Sequence, residues 1–172
     1  MAVSSSPVRD AHRLVFLPTD ARGARQLLKE GGTDLQGFTV TDELRSVLDL
    51  SSGGDEEAER AAMVIGSIWG LARFGRRLVL VAQVQDSVLA PNGEVDNGGV
   101  TVTRLEPSAI TAWFADEDDA VSAPVAGAIA GMVIDDAWSD VAVQSLLASH
   151  ELSWHDITEE LPEEASDPHT TV

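Results

Sequence analysis

The chain has 172 residues, no cysteine and a formal net charge of −18. The length suits one domain able to bury its own core, and the absence of cysteine excludes disulfides, thiolate catalysis and cysteine metal sites. Residues 1–104 hold all 11 Lys and Arg against 14 acids, while residues 105–172 hold 15 acids and no Lys or Arg; phosphate backbones are bound by neutralising them with Lys and Arg, so neither nucleic acid nor an anionic membrane is an expected partner.

Residues 1–12 are small and polar and read as a flexible tail. They lack the apolar segment of a signal peptide. The longest uncharged stretch, Ala120 to Ile134, is rich in Ala and Gly and too short for a membrane span, which needs ~20 apolar residues. A soluble cytoplasmic protein is expected. Leu14 to Leu17 form a first strand, stopped by Pro18. Thr19 or Asp20 caps a helix to about Glu30, ended by Gly31-Gly32. Phe38 to Val40 form a short strand, and Thr41 caps a helix from Asp42 to Leu50.

The strongest signal runs from Asp55 to Val84. Asp55, Glu56, Glu57 and Glu59 open a helix and Arg73, Arg76 and Arg77 close it, as the helix dipole favours. Asp55 is the expected N-cap and Gly75 the left-handed residue that ends the helix. Ala58, Ala61, Ala62, Ile65, Ile68, Trp69 and Ala72 recur at three- and four-residue spacing, and Met63 and Val64 widen that stripe. Leu78 to Val81 and Val84 read as a strand covered on both faces, with the helix lying on it and Trp69 buried between them.

Gln85 to Gly99 is a polar loop with turn residues. Val100, Val102 and Leu105 alternate with polar residues as an edge strand, and Ile110 to Phe114 form another strand. Asp116 to Asp119 follow as a solvated acidic turn. Ser122 caps a helix carrying Val125, Ile129 and Met132; Asp135 or Asp136 begins a further helix to Leu147; Glu151 to Trp154 form a last strand or turn, and Ile157 to Leu161 a last helical turn. The fold class is α+β: a single domain over residues 13–161, with a mixed sheet covered by helices. Strand–helix–helix–strand from Leu14 to Val84 is echoed from Ile110 to Trp154 as two pseudo-repeated halves. Residues 162–172 read as a disordered acidic tail.

The densest polar cluster is His150, Glu151, Trp154, His155 and Asp156. It superficially matches the zinc-protease helix motif, which needs its histidines four apart. Here they are five apart, and on a strand they would point to opposite faces. His150 is therefore expected at a helix end, Trp154 in the core and His155-Asp156 at the start of the last turn. Asp116 and its acidic neighbours offer carboxylates to a hard cation, but without the alternation of a calcium loop. There is no nucleophile elbow, phosphate-binding loop or dinucleotide fingerprint. No cofactor or metal is expected. Arg73, Arg76 and Arg77 suit a helix terminus, or an acidic ligand, or the chain's own acidic tail.

Five pieces carry a resemblance: Arg13-Leu-Val-Phe-Leu-Pro-Thr19, Phe38-Thr-Val-Thr-Asp-Glu-Leu44, Asp55-Glu-Glu-Ala-Glu59, Arg76-Arg-Leu-Val-Leu-Val81 and His150-Glu-Leu-Ser-Trp154. In that order they resemble an actinobacterial family of uncharacterised proteins, a domain of unknown function. The resemblance implies an actinobacterial, intracellular setting and brings no activity, cofactor or catalytic residue. The chain departs from the family pattern in the Asp86–Gly99 loop and in the acidic tail. The expected function is a non-enzymatic protein-interaction or regulatory module whose partner has a basic or apolar surface. The alternative is a small-molecule enzyme or ligand-binding protein built from dispersed residues, with Glu151, His155 and Asp116 the first to inspect; a third is nucleic-acid mimicry by the acidic carboxyl-terminal half.

Overall fold

A computed structural model describes residues 12–50 and 54–163. The chain opens with strand β1 (His12–Pro18) and helix α1 (Ala21–Glu30). Both ends of α1 follow from local chemistry. The Asp20 carboxylate accepts from the Gly23 N–H at 2.7 Å, satisfying a donor that the first turn leaves open. Gly31 has φ +72° and its N–H reaches the Leu27 carbonyl; a Cβ at Gly31 would overlap the Leu105 carbonyl oxygen, so only glycine fits. Strand β2 (Gly32–Phe38) starts at the second glycine of the pair, six residues before the strand that Phe38 predicts.

Thr41 caps α2 (Asp42–Val47) by accepting from the Leu44 N–H at 3.0 Å. The long helix α3 (Asp55–Phe74) has Gly54, not Asp55, at its N-cap. Asp55 lies one residue inside and its carboxylate pairs with Arg45, so it serves the dipole and the α2 contact rather than the expected cap. Gly75, at φ +77°, ends α3 as predicted.

Strands β3 (Leu78–Gln85), β4 (Leu89–Pro91), β5 (Gly99–Leu105) and β6 (Ile110–Ala115) follow, then helices α4 (Ala123–Ile129), α5 (Ile134–Trp138) and α6 (Val141–Ser149), and a last strand β7 (Ser153–Asp156). The single helix expected from Asp135 to Leu147 is broken, because Asp140 caps α6 by accepting from the Ala142 N–H at 2.8 Å.

The seven strands of the described residues form one sheet in the order β4-β5-β2-β1-β3-β6-β7, and every neighbouring pair is antiparallel. The sheet is therefore not mixed, although β2 and β3 run in the same sense on either side of β1, so the chain crosses over between them through α2 and α3. β5 is not an edge; it pairs with both β2 and β4, and Val102 is fully buried. The echo of two halves survives only as a return path. β3 comes back beside β1 and β7 beside β6, but the first half encloses an extra strand, β2, while the second encloses helices alone.

Two cores lie on the two faces of the sheet. On one, Phe16, Phe38, Val79, Val81 and Ala112 pack under residues of α2 to α6, among them Leu44, Ile65, Ile68, Leu71, Ile129, Ala137 and Leu146. On the other, Val15, Leu17, Leu78, Leu80, Val102 and Trp113 are covered by Ala24, Leu27 and Leu28 of α1 and by Ile157 and Leu161 beyond β7. β3 contributes to both, as its unbroken apolar run predicts. A register shift opposite Val81 and Ala82 places Ile110 and Ala112 on different faces. Trp69 differs from expectation. It is half-buried, and its ring lies 6.1 Å from that of Phe38 in β2, edge-on to Phe74 and under the Arg73 guanidinium. It sits over β2 rather than sealing β3. Among the described residues, no helix is long and apolar enough to cross a membrane. Of the expected acidic tail, residues 164–172 lie outside the described residues, as do residues 1–11 of the expected amino-terminal tail.

Candidate ligand-binding cleft

A second stripe on α3, beside the one that faces the core, builds one wall of a cleft. Glu56, Glu59, Arg60, Met63, Val64 and Ser67 follow at three- and four-residue spacing, which puts them on one helical face. The opposite wall is Leu147 of α6 and the link His150-Glu151-Leu152, with Trp154 of β7. Leu14 and Phe16 of β1, Val81 of β3 and Phe114 of β6 form the floor, and Arg77 also lines the space. The cavity measures about 550 Å³, within the range usual for ligand sites.

The cleft exists because one corner of the sheet is left partly uncovered. Phe114 and Trp154 are register partners across the β6–β7 ladder, so their side chains share the helix-bearing face. Phe114 is only half-buried there and Trp154 is 57% exposed. A tryptophan so placed contributes little to the core it adjoins. Trp154→Ala is expected to change the unfolding free energy by no more than about 0.5 kcal/mol, as denaturant titration would measure, while removing a fluorophore that reports on the cleft.

Charge is graded from rim to interior. Glu56, Arg60, His150 and Glu151 are exposed and Glu59 half-buried. Arg60 pairs with Glu151, tying α3 to the α6–β7 link. Glu56 and Glu59 have no hydrogen-bond or ion-pair partner among the described residues, so the rim carries uncompensated negative charge. At the inner end the Arg77 side chain is 1% exposed, as is its partner Asp116. Arg77 Nε donates to Asp116 Oδ2 at 3.0 Å, and Nη2 donates to Asp116 Oδ1 and to the His150 carbonyl. This bidentate fork neutralises the guanidinium. Nη1 takes part in none of these bonds. The Ser67 hydroxyl donates to the Val64 carbonyl at 2.6 Å.

The neighbouring arginine works in parallel. Arg76 Nη2 meets Asp119 at 2.8 Å, and Arg76 Nη1 donates to the Glu163 carbonyl; Arg25 donates to the Pro162 carbonyl. The acidic run Asp116–Asp119 is thus only in part a solvated turn: Glu117 and Asp118 are exposed, and Asp116 is buried. Asp116 and Asp119 balance two arginines that follow α3, Asp116 away from water and Asp119 partly exposed to it. Among the described residues, no group of three His, Asp or Glu is arranged to hold a metal ion.

The polar cluster of the sequence divides as strand alternation requires. His150, Glu151 and Trp154 line the cleft, and Trp154 belongs to its rim rather than to the core. His150 ends α6 through its backbone, its N–H reaching the Leu146 carbonyl. His155 points to the other face, stacked on Trp113 at 3.9 Å with 11° between the rings, and its Nδ1 lies 3.3 Å from Glu159. Asp156 accepts from the Thr158 hydroxyl at 2.6 Å and N–H at 3.0 Å, bonds that hold its pKa below the usual carboxylate value. Asp116 reaches the cleft only through Arg77. One contributor is not among the sequence candidates, the acid-to-apolar stripe of α3, and Arg77 enters there only with Arg73 and Arg76, as a helix terminus or a place for an acidic ligand or tail. The stripe was visible as Glu56-x-x-Glu59-Arg60-x-x-Met63-Val64. The burial of Arg77 carries no local signal, since its partner lies 39 residues on.

Neither curated proteins nor solved structures give a match to the chain. Residues 13–163, most of the sequence, match the profile of the family of unknown function DUF6912, and the chain belongs to that family.

Proposed function

We propose that the protein is a non-enzymatic intracellular binding module, and that the cleft between α3 and α6 receives an apolar side chain from a protein partner with a basic surface. The observation that carries this reading is the cleft's combination of an apolar floor with an acidic rim. Phe114 and Trp154 present apolar surface to solvent, and Glu56 and Glu59 stand unpaired around it. Burying an aromatic or aliphatic anchor there would gain about 1.5–3 kcal/mol, and basic flanking residues would speed and orient docking. The contact of His155 with Glu159 lies on the face of β7 away from the cleft, and Glu151 is paired with Arg60. The actinobacterial, intracellular setting that the resemblance implies suits such a module.

A small molecule of the same character is the rival, and the concavity of the site favours it. The two are separated by quantitative affinity capture of tagged protein from its native cell, with Val64→Trp and Glu59→Lys beside the wild type. A protein recovered by wild type and reduced at least tenfold by both variants is expected. Equal recovery with all three would place the interaction elsewhere, and no reproducible protein would favour the small molecule.

A further inference from the structure

We propose that Asn92 is a site of slow self-modification: its side-chain amide is lost to attack by the Gly93 backbone nitrogen, and the product loosens strand β4. Both asparagines of the chain, Asn92 and Asn97, precede a glycine, the neighbour that obstructs such attack least because it has no Cβ. The structure separates the two. The Gly93 N–H donates to no group among the described residues, and Gly93 is exposed, with open space where a Cβ would stand. Asn92 Oδ1 accepts from the Glu94 N–H at 2.9 Å, closing a turn that folds the amide back over the Gly93 peptide. That donor also steadies the negative charge that grows on Oδ1 when Cγ is attacked. At Asn97 the attacking nitrogen is engaged: the Gly98 N–H donates to the Val95 carbonyl at 3.1 Å, and Gly98 is buried. The Asn97 amide is held by the carboxylates of Glu94 and Asp135, each at 3.1 Å, which would repel the acid that loss of the amide makes.

The reaction needs only water. Solvent hydroxide takes the Gly93 N–H proton, the nitrogen bonds to Asn92 Cγ, and the Cγ–Nδ2 bond breaks as ammonia leaves. The resulting cyclic imide is opened by water. Breaking its bond from nitrogen to Cγ gives aspartate, and breaking the bond to the backbone carbonyl carbon gives isoaspartate, whose main chain runs through Cβ and Cγ. Nothing is oxidised or reduced; the net change is NH replaced by O, with a new carboxylate. In the intact protein Asn92 Nδ2 donates to Gln36 Oε1 of β2 at 3.0 Å. After the reaction an anionic oxygen faces that acceptor, beside Glu94. Strand β4 ends at the residue before Asn92 and pairs only with β5, over Leu89–Pro91. Loss of the Gln36 tie therefore frees β4 and uncovers the edge of β5, a one-way change in a region separate from the cleft.

The test incubates the full chain in warm, mildly alkaline buffer and follows both sites by mass spectrometry, using a protease that cuts after glutamate to separate them at Glu94. In the folded protein Asn92 is expected to convert about tenfold or more faster than Asn97, because only its nucleophile is free and placed. In concentrated urea the two rates should converge. Gly93→Ala meets open space and no left-handed backbone angle, so it should fold normally and slow Asn92 by about tenfold or more. Hydrogen exchange of the converted form, separated by anion exchange, should be faster in β4 than in the unconverted protein. A ratio of rates unchanged between folded chain and urea would overturn the structural selection, and an unaltered rate in Gly93→Ala would overturn attack by the Gly93 nitrogen. Exchange in β4 that is the same in both forms would overturn the loosening.

Discussion

Asp116→Ala is expected to lower the free energy of unfolding by about 3–5 kcal/mol, the largest loss available to any polar substitution described above. Both side chains of the Arg77–Asp116 pair are 1% exposed, so removing the carboxylate strands a buried guanidinium with no water to replace its partner. Asp119→Ala gives the contrast. Its carboxylate is 40% exposed but Arg76 is only 5% exposed and keeps the Glu163 carbonyl, so the expected cost is smaller, about 1–3 kcal/mol. Urea titration followed by tryptophan fluorescence measures both, and the midpoints rank the two losses directly. The double substitution Arg77→Met, Asp116→Leu should recover part of the Asp116→Ala loss, because two apolar residues leave no charge stranded; the His150 carbonyl, deprived of its donor, limits the recovery. A double variant less stable than Asp116→Ala alone would show that the pair holds the α6–β7 link by attraction, beyond mere compensation.

Phe38→Ala should cost a similar amount, about 3–5 kcal/mol, by a different route. Phe38 is fully buried. Its ring contacts that of Trp69 and faces Gly66, where a Cβ would come within 3.2 Å of Phe38 Cδ2. The ring fills the space between β2 and α3, and its removal leaves a cavity that the helix backbone cannot close. Because Trp69 loses its neighbour, the fluorescence of the folded variant should change too. A loss below about 1 kcal/mol would mean that α3 can settle onto β2, which the close approach at Gly66 argues against.

Much of the fold is legible in local chemistry. Asp20, Gly31, Thr41 and Gly75 each mark a helix end where the backbone needs a cap or a left-handed turn. The run Leu78–Val81 announces a strand covered twice. Legibility fails where a residue's environment is set by a distant partner. Val100 and Val102 alternate with polar residues as an edge strand would, yet β4 and β2 flank them; nothing in a strand's own sequence names its neighbours. Gly32 serves equally as a helix stop or a strand start, and only pairing with Leu105 decides it. Trp154 carries the composition of a core residue, but burial depends on whether a helix passes over β7. Arg76 and Arg77 satisfy helix-terminus chemistry so well that their partners, in the loop after β6, leave no trace upstream. The cleft was half-legible: its rim in the His150–Trp154 cluster, its other wall in the amino half of α3, with no hint that the two would meet.

The order of strands in the sheet differs from the order in which they are made. β1 is matched along its whole length, His12 to Pro18, by residues 79–85, and β2 is matched chiefly by β5. The segments synthesised first therefore wait, apolar and unpaired, for segments that emerge much later. Such separations slow folding, because the entropy of closing long loops must be met before distant contacts compensate it. Nascent chains halted before Gln85 should accordingly be digested readily by protease, and protection should appear in steps as β3, then β5, then β6 leave the ribosome.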